Sequence, residues 1–156
     1  YTTLFRSLSG QQVVVWFDYN QEVIHANWYL REAEVDCVCL TGQDKVGERI
    51  ETFQDFQAGR HRVLLLQARI AQMGTDLSAA DTAIYYSTPL SAEIRQQTED
   101  RIIKPDKTGV LILDLAIRDT VDQDGLDALR HKKWRSDKLL RIAAEYAQAR
   151  HKKISV

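Results

Sequence analysis

Arg62-Val63-Leu64-Leu65-Leu66-Gln67-Ala68-Arg69-Ile70-Ala71-Gln72-Met73-Gly74-Thr75-Asp76-Leu77-Ser78-Ala79-Ala80-Asp81-Thr82-Ala83-Ile84-Tyr85-Tyr86 contains two short apolar runs separated by a mostly polar connection. Apolar runs of this length, rich in branched and aromatic residues, predict strands covered on both faces, as in a parallel sheet layered between helices. The same type of run recurs at 12–17, 35–40 and 110–115. Between these runs the spacing changes to that of helices. Val46, Ile50, Phe53 and Phe56 recur from about residue 45 to 58, and residues 21–32 also read as a helix. This alternation predicts βαβ units around a parallel sheet.

Punctuation residues set further limits. Gly59 ends the second helix, Ser91 caps a third that runs to about Ile103, and Pro105 stops it. Thr120 caps a fourth helix running to about Lys133, and Leu139, Ile142, Ala143 and Tyr146 give a last amphipathic helix. No repeat or low-complexity linker interrupts the chain, so one α/β domain is expected over residues 1–133, with a basic helical extension over 134–156. The chain opens on Tyr1 and its one methionine is Met73, which reads as a piece of a longer protein.

Composition removes several function classes. The chain has 156 residues, with 44% apolar and 28% charged, as expected of an ordinary globular domain. No apolar run is long enough to cross a bilayer and no signal-like segment opens the chain, so a cytoplasmic location and no membrane partner are expected. Residues 1–129 carry 12 Lys+Arg against 20 Asp+Glu, whereas residues 130–156 carry 9 against 2. A basic end on an acidic domain fits either a nucleic-acid contact or a solvated helix face. Cys37 and Cys39 alternate on a predicted strand, point the same way and read as buried reduced thiols, with no zinc set around them. His25, His61, His131 and His151 lack a convergent acid or thiol, and no metal site is expected. Trp134 reads as an anchor for the last helix.

Three absences constrain any enzyme. The chain has no G-x-x-x-x-G-K-[ST] phosphate loop, no strand-borne acidic pair for Mg²⁺, and no G-x-G-x-x-G after a strand. Three segments at the ends of successive predicted strands carry more. The first is Leu40-Thr41-Gly42, followed by Glu48-Arg49 and Phe53-x-x-Phe56. Here Thr41 and Gly42 can offer a hydroxyl and an open N–H to a phosphate. The second is the stretch from Gln67 to Asp81 quoted above. The third is Gln96-Gln97-Thr98-Glu99-Asp100-Arg101-Ile102-Ile103-Lys104-Pro105-Asp106-Lys107.

In this order the segments resemble the second, RecA-like lobe of superfamily-two, Snf-type DNA helicases and translocases over about residues 12–140. Gly74-Thr75-Asp76-Leu77 resembles motif V, G-x-[DN]-L, although Ile70, Ala71 and Gln72 replace the small residues common upstream of it. Gln97 and Arg101 match motif VI, Q-x-x-x-R-x-x-R, with Lys104 in its second arginine place. Residues 13–20 resemble motif IV, and Asp119-Thr120-Val121-Asp122 followed by Lys132-Lys133 resembles the ending of bacterial and phage members.

The resemblance implies that Arg101, with Lys104, reaches the γ-phosphate of ATP as an arginine finger. It also implies that Gly74, Asp76 and Gln97 face the nucleotide, and that Thr41, Gly42, Gln67 and Arg69 grip a DNA backbone. ATP and Mg²⁺ would then be shared with an N-terminal RecA-like lobe of the parent chain, and this chain alone would bind neither cofactor and hydrolyse no ATP. Two other readings stay open: a degenerate lobe acting as a protein-interaction scaffold, and a doubly wound ligand-binding or regulatory domain with Asp18 as its acid.

Overall fold

Val13, Val14, Val15, Trp16 and Phe17 are each between 0 and 3% exposed, which requires a strand with layers on both faces. The computed structural model describes residues 10–89 and 91–130. In it this run is β1 (Val13–Phe17), the middle strand of a five-stranded sheet with β2 (Cys37–Leu40), β3 (Val63–Gln67), β4 (Thr82–Tyr85) and β5 (Leu111–Asp114). The order is β2-β3-β1-β4-β5 and every pairing is parallel, the RecA-like arrangement expected. The connections carry α1 (Asn20–Glu32), α2 (Val46–Gln57), a 3-10 segment (Ala68–Met73) and α3 (Ala92–Ile102), and α4 (Val121–Arg130) follows β5. The readings of Trp134, His131, His151 and the helical extension over 134–156 lie outside the described residues.

The period of two along each strand divides the core. Val13, Val15, Phe17, Val63, Leu65 and Ile84 face α1 through its Val23 and Leu30. Val14, Trp16, Leu64, Leu66, Ala83 and Tyr85 face the other way, onto Phe53 and Phe56 of α2, Ile102 of α3 and Leu77. Each large apolar side chain removed from water in this way contributes about 1.5–3 kcal/mol. Cys37 and Cys39 share the α1 face, as their spacing predicts, and burial pushes both thiols up.

One expectation about α2 is corrected. Val46 and Ile50 were expected to share its inward stripe, yet they are 57% and 52% exposed. At 3.6 residues per turn, Phe53 and Phe56 centre a stripe from which Val46 and Ile50 are rotated by about 50° and 90°.

The register matters most for function. Phe17 lies opposite Gln67, Leu40 opposite Leu66, Trp16 opposite Tyr85, and Tyr85 opposite Asp114. All five strands therefore end together, and the loops that follow them open on one edge of the sheet, where α/β proteins build their ligand sites.

Candidate nucleotide and nucleic-acid site

Along that edge the exits of β1, β2, β3 and β4 meet. Gln67, the last residue of β3, donates from Nε2 to the Asp18 carbonyl at 3.2 Å. Its Oε1 lies 3.4 Å from where a Cβ on Gly42 would stand. Thr41, Gly42, Gln67 and Asp18 are thus one neighbourhood, and the exposed Arg69 joins it through its charge on Asp18. Within the turn, the Thr41 hydroxyl donates to Asp44 Oδ2 at 3.0 Å and the Thr41 N–H donates to the same oxygen. The Gly42 carbonyl accepts from Arg49 Nη2 at 2.8 Å. The hydroxyl expected to meet a ligand therefore stabilises the turn, and exposed Gly42 is the part of it open to solvent.

Asp18 is half-buried, and burial pushes its carboxyl up; Arg69 opposes this and Glu22 adds to it. Its backbone N–H donates to Ser87 Oγ at 2.7 Å, and Ser87 donates to Glu22 Oε2 at 2.7 Å, which links the exit of β4 to α1.

A second group forms where residues 74–80 run beside the end of α3. Gly74 adopts φ 75°, a left-handed conformation that glycine reaches without Cβ strain. The Leu77 N–H then donates to the Arg101 carbonyl at 3.0 Å. Asp76 accepts from the Ser78 N–H at 3.0 Å and the Ser78 hydroxyl at 3.2 Å, and Lys104 Nζ lies 3.5 Å from Asp76 Oδ1. Burial acts to raise the Asp76 carboxyl, but the two Ser78 hydrogen bonds and Lys104 outweigh it and hold the group below the usual carboxylate range.

Lys107 Nζ donates to the carbonyls of Ser78 and Ala80, and Gln57 Oε1 accepts from the Ala79 N–H at 2.9 Å. The fold therefore brings Gly74, Asp76, Arg101 and Lys104 together. Gln97 is not joined to them. Its Nε2 donates to Glu93 on its own helix at 3.3 Å, and its Oε1 is buried without a hydrogen-bond partner.

Sequence reasoning missed Arg95. This residue is 8% exposed, and its guanidinium lies 3.4 Å over the centroid of the Tyr85 ring. It forms ion pairs with Asp114 at the end of β5 and with Glu99 one turn along α3. The neighbouring carboxylates outweigh burial and hold its proton more tightly than usual, while burial pushes the Tyr85 phenol up. The sequence trace of this cluster is an arginine and a threonine where an inward helix stripe should be apolar.

The five-stranded parallel sheet with helices on both faces is a RecA-like fold, with one of the two groups at its carboxyl edge and the other beside the end of α3. The helicase conserved C-terminal domain family matches residues 1–105, and the chain belongs to that family.

Its curated relatives include the chromatin-remodeling ATPase INO80 of Saccharomyces cerevisiae, 27% identical over 125 residues, covering 79% of this chain and 8% of the relative. The INO80 proteins of Candida glabrata and Aspergillus oryzae are 26% and 29% identical, covering 80% and 73% of this chain and 8% of each relative. The chain thus spans about 8% of the length of the curated relatives it matches. These relatives are fungal and give no support to a bacterial or phage-like origin.

Among solved structures, the C-terminal part of the Fun30 ATPase domain superposes with a TM-score of 0.73 at 17% identity, over 81% of this chain and 42% of that one. That likeness is one of fold. No described helix is long and apolar enough to cross a membrane.

Proposed function

We propose that this domain is the second motor lobe of an ATP-driven DNA translocase, working across a cleft from an N-terminal lobe of the same parent chain. The observation that supports this best is the joining of two sequence-distant segments: Leu77 to Arg101 through a 3.0 Å backbone hydrogen bond, and Asp76 to Lys104 at 3.5 Å. Lys104 stands beside Asp76, two residues after an exposed left-handed glycine, and a backbone of this kind with a nearby cation suits a phosphate group. Because the sequence has no phosphate loop and no strand-borne acidic pair, Mg²⁺ is assigned to the other lobe.

ATP with Mg²⁺, when bound, supplies the γ-phosphoryl group that hydrolysis removes. Arg101 presents a planar, permanently charged fork to the charge that develops there. Lys104 adds a point charge oriented by Asp76, without the bidentate geometry of a second arginine. Gly74 lets the backbone approach closely, and Gln97 lies on the same helix as Arg101.

At the sheet edge, Gly42 and Arg69 face the phosphates of one strand, with Gln67 and Thr41 fixing the turn between them. Contacts of this kind carry little sequence preference and weaken steeply with salt. Opening and closing of the cleft would alternate the grip and step the motor along DNA.

The test is ATP hydrolysis by the full-length parent with and without DNA, by its Arg101→Ala variant, and by this domain alone. DNA-stimulated turnover in the parent, loss in the variant and inactivity of the isolated domain are expected. A parent with no DNA-stimulated turnover would refute the motor reading and favour the scaffold, which Lys104 in the second arginine place of the motif also favours.

A further inference from the structure

In α3, the helix that carries Gln97 and Arg101, the buried residues are Arg95, Thr98 and Ile102. Their spacing is that of an inward stripe, yet two of the three are polar. Apolar contacts are non-directional and let a helix slide or roll by small amounts. The contacts made by Arg95 and Thr98 are directional. The Arg95 guanidinium stacks on Tyr85, pairs through Nη1 and Nη2 with both oxygens of Asp114, and pairs through Nε with Glu99. The Tyr85 hydroxyl meets Thr98 Oγ1 at 2.6 Å, and Thr98 donates to the Arg95 carbonyl at 2.7 Å. Tyr85 and Asp114 are the last residues of adjacent strands β4 and β5. The network therefore ties the roll and axial position of α3 to the carboxyl edge of the sheet. Arg101 lies six residues further along, about 9 Å at 1.5 Å per residue.

We propose that Arg95 is a positioning residue for the phosphate-facing end of α3: its stacked, forked contact with Tyr85, Asp114 and Glu99 sets where Arg101 and Lys104 stand when the lobes close. This inference rests on the motor reading above. Lysine is the discriminating replacement, because it keeps the positive charge but has neither the planar face for Tyr85 nor the two-pronged contact with Asp114.

The experiment uses the full-length parent carrying Arg95→Lys and, separately, Glu99→Gln, which removes the charge of one arm only. Steady-state ATP hydrolysis at saturating DNA is measured beside thermal unfolding and DNA affinity. In a folded Arg95→Lys protein, kcat should fall about tenfold while KM for ATP and DNA affinity change by less than about threefold, as small displacements of a catalytic group weaken catalysis more than binding. A folded Arg95→Lys protein with wild-type kcat would overturn the proposal, as would parallel losses in kcat and DNA affinity. If Arg95→Lys does not fold, Glu99→Gln decides: a threefold or greater loss in kcat with unchanged DNA affinity supports positioning, and wild-type kcat overturns it. Failure of the wild-type parent to hydrolyse ATP would refute the motor reading itself, so the two failures are distinguishable.

Discussion

Removing the Tyr85 hydroxyl should cost less than removing the Thr98 hydroxyl it meets, and removing both should cost less than removing Thr98 alone. Both side chains are fully buried, so water cannot replace a lost partner. Thr98 has one hydroxyl proton, and the 2.7 Å contact commits it to the Arg95 carbonyl. In the 2.6 Å contact, Tyr85 is therefore the donor and Thr98 the acceptor. Tyr85→Phe keeps the ring under Arg95 and leaves Thr98 its own bond, so the loss is that of one neutral hydrogen bond, about 1 kcal/mol. Thr98→Val keeps the shape but strands a buried phenol and removes the bond to the Arg95 carbonyl, for about 2–3 kcal/mol. In the double variant no phenol is stranded, and the loss should return to about 1–2 kcal/mol.

The measurement is equilibrium urea unfolding of the four proteins at neutral pH, followed by tryptophan fluorescence, since Trp16 stacks against Tyr85 with ring centroids 6.3 Å apart. At roughly 2–4 °C per kcal/mol for a chain of this size, the same ranking should appear in thermal midpoints. Single losses that simply add in the double variant would refute the assignment of donor and acceptor, and with it the view that α3 is held by directional bonds.

Asp18→Asn keeps both backbone hydrogen bonds at that position and removes a carboxylate that burial disfavours, so it should raise the thermal midpoint at pH 7. Because the folded-state carboxyl is raised, the wild-type penalty exists above that raised value. The gap should close as pH falls and vanish below the ordinary carboxylate range near about 3.9, and a gap independent of pH would count against the assignment. Gly42→Ala meets only Gln67 at 3.4 Å and needs no unusual φ, so it should leave the thermal midpoint nearly unchanged while weakening DNA binding by the parent. Gly74→Ala, at φ 75°, should instead cost about 1–2 kcal/mol in unfolding measurements, and equal stability losses at the two glycines would contradict this separation. Lys107→Met should lower the midpoint by several degrees, because the Ser78 and Ala80 carbonyls lose a charged donor, and an unchanged melt would show those contacts to be dispensable.

The sheet was legible because burial on both faces leaves no polar face to interrupt an apolar run, as at Val13 to Phe17 and Val63 to Leu66. Strand ends were less so. Val35 and Asp36 read as part of a strand, yet β2 begins at Cys37. Asp36 sits at the margin of the sheet, its carbonyl accepting from the Val63 N–H at 3.2 Å and its carboxylate from the Arg62 N–H at 3.0 Å. Helix α2 was placed correctly although half of its apparent stripe faces solvent, because position in the chain carries the helical period but does not say which apolar residues the sheet will reach. At the site, the resemblance implied that Gly74, Asp76, Arg101 and Lys104 all face one nucleotide; the structure shows Lys104 within 3.5 Å of Asp76. The resemblance could not show that Gln97 would turn to Glu93 and the Thr41 hydroxyl to Asp44, since both are local choices between competing hydrogen bonds.

Arg95 differs from these, because its signal lies in the sequence itself. A single arginine on a helix usually lies at the surface. Yet the helix after Ser91 sits in a βαβ unit and must cover the sheet, while Gln96, Gln97, Glu99, Asp100 and Arg101 leave it almost no apolar stripe. A helix obliged to pack but lacking apolar residues must be held by buried polar ones, and these need partners that are themselves fixed. Asp114, at the end of an otherwise apolar strand, was the corresponding oddity on the sheet side. Two such exceptions, one on a helix and one on the strand that follows it, predict each other. Their pairing, with the stack on Tyr85, puts a directional contact on the helix that also carries Gln97 and Arg101.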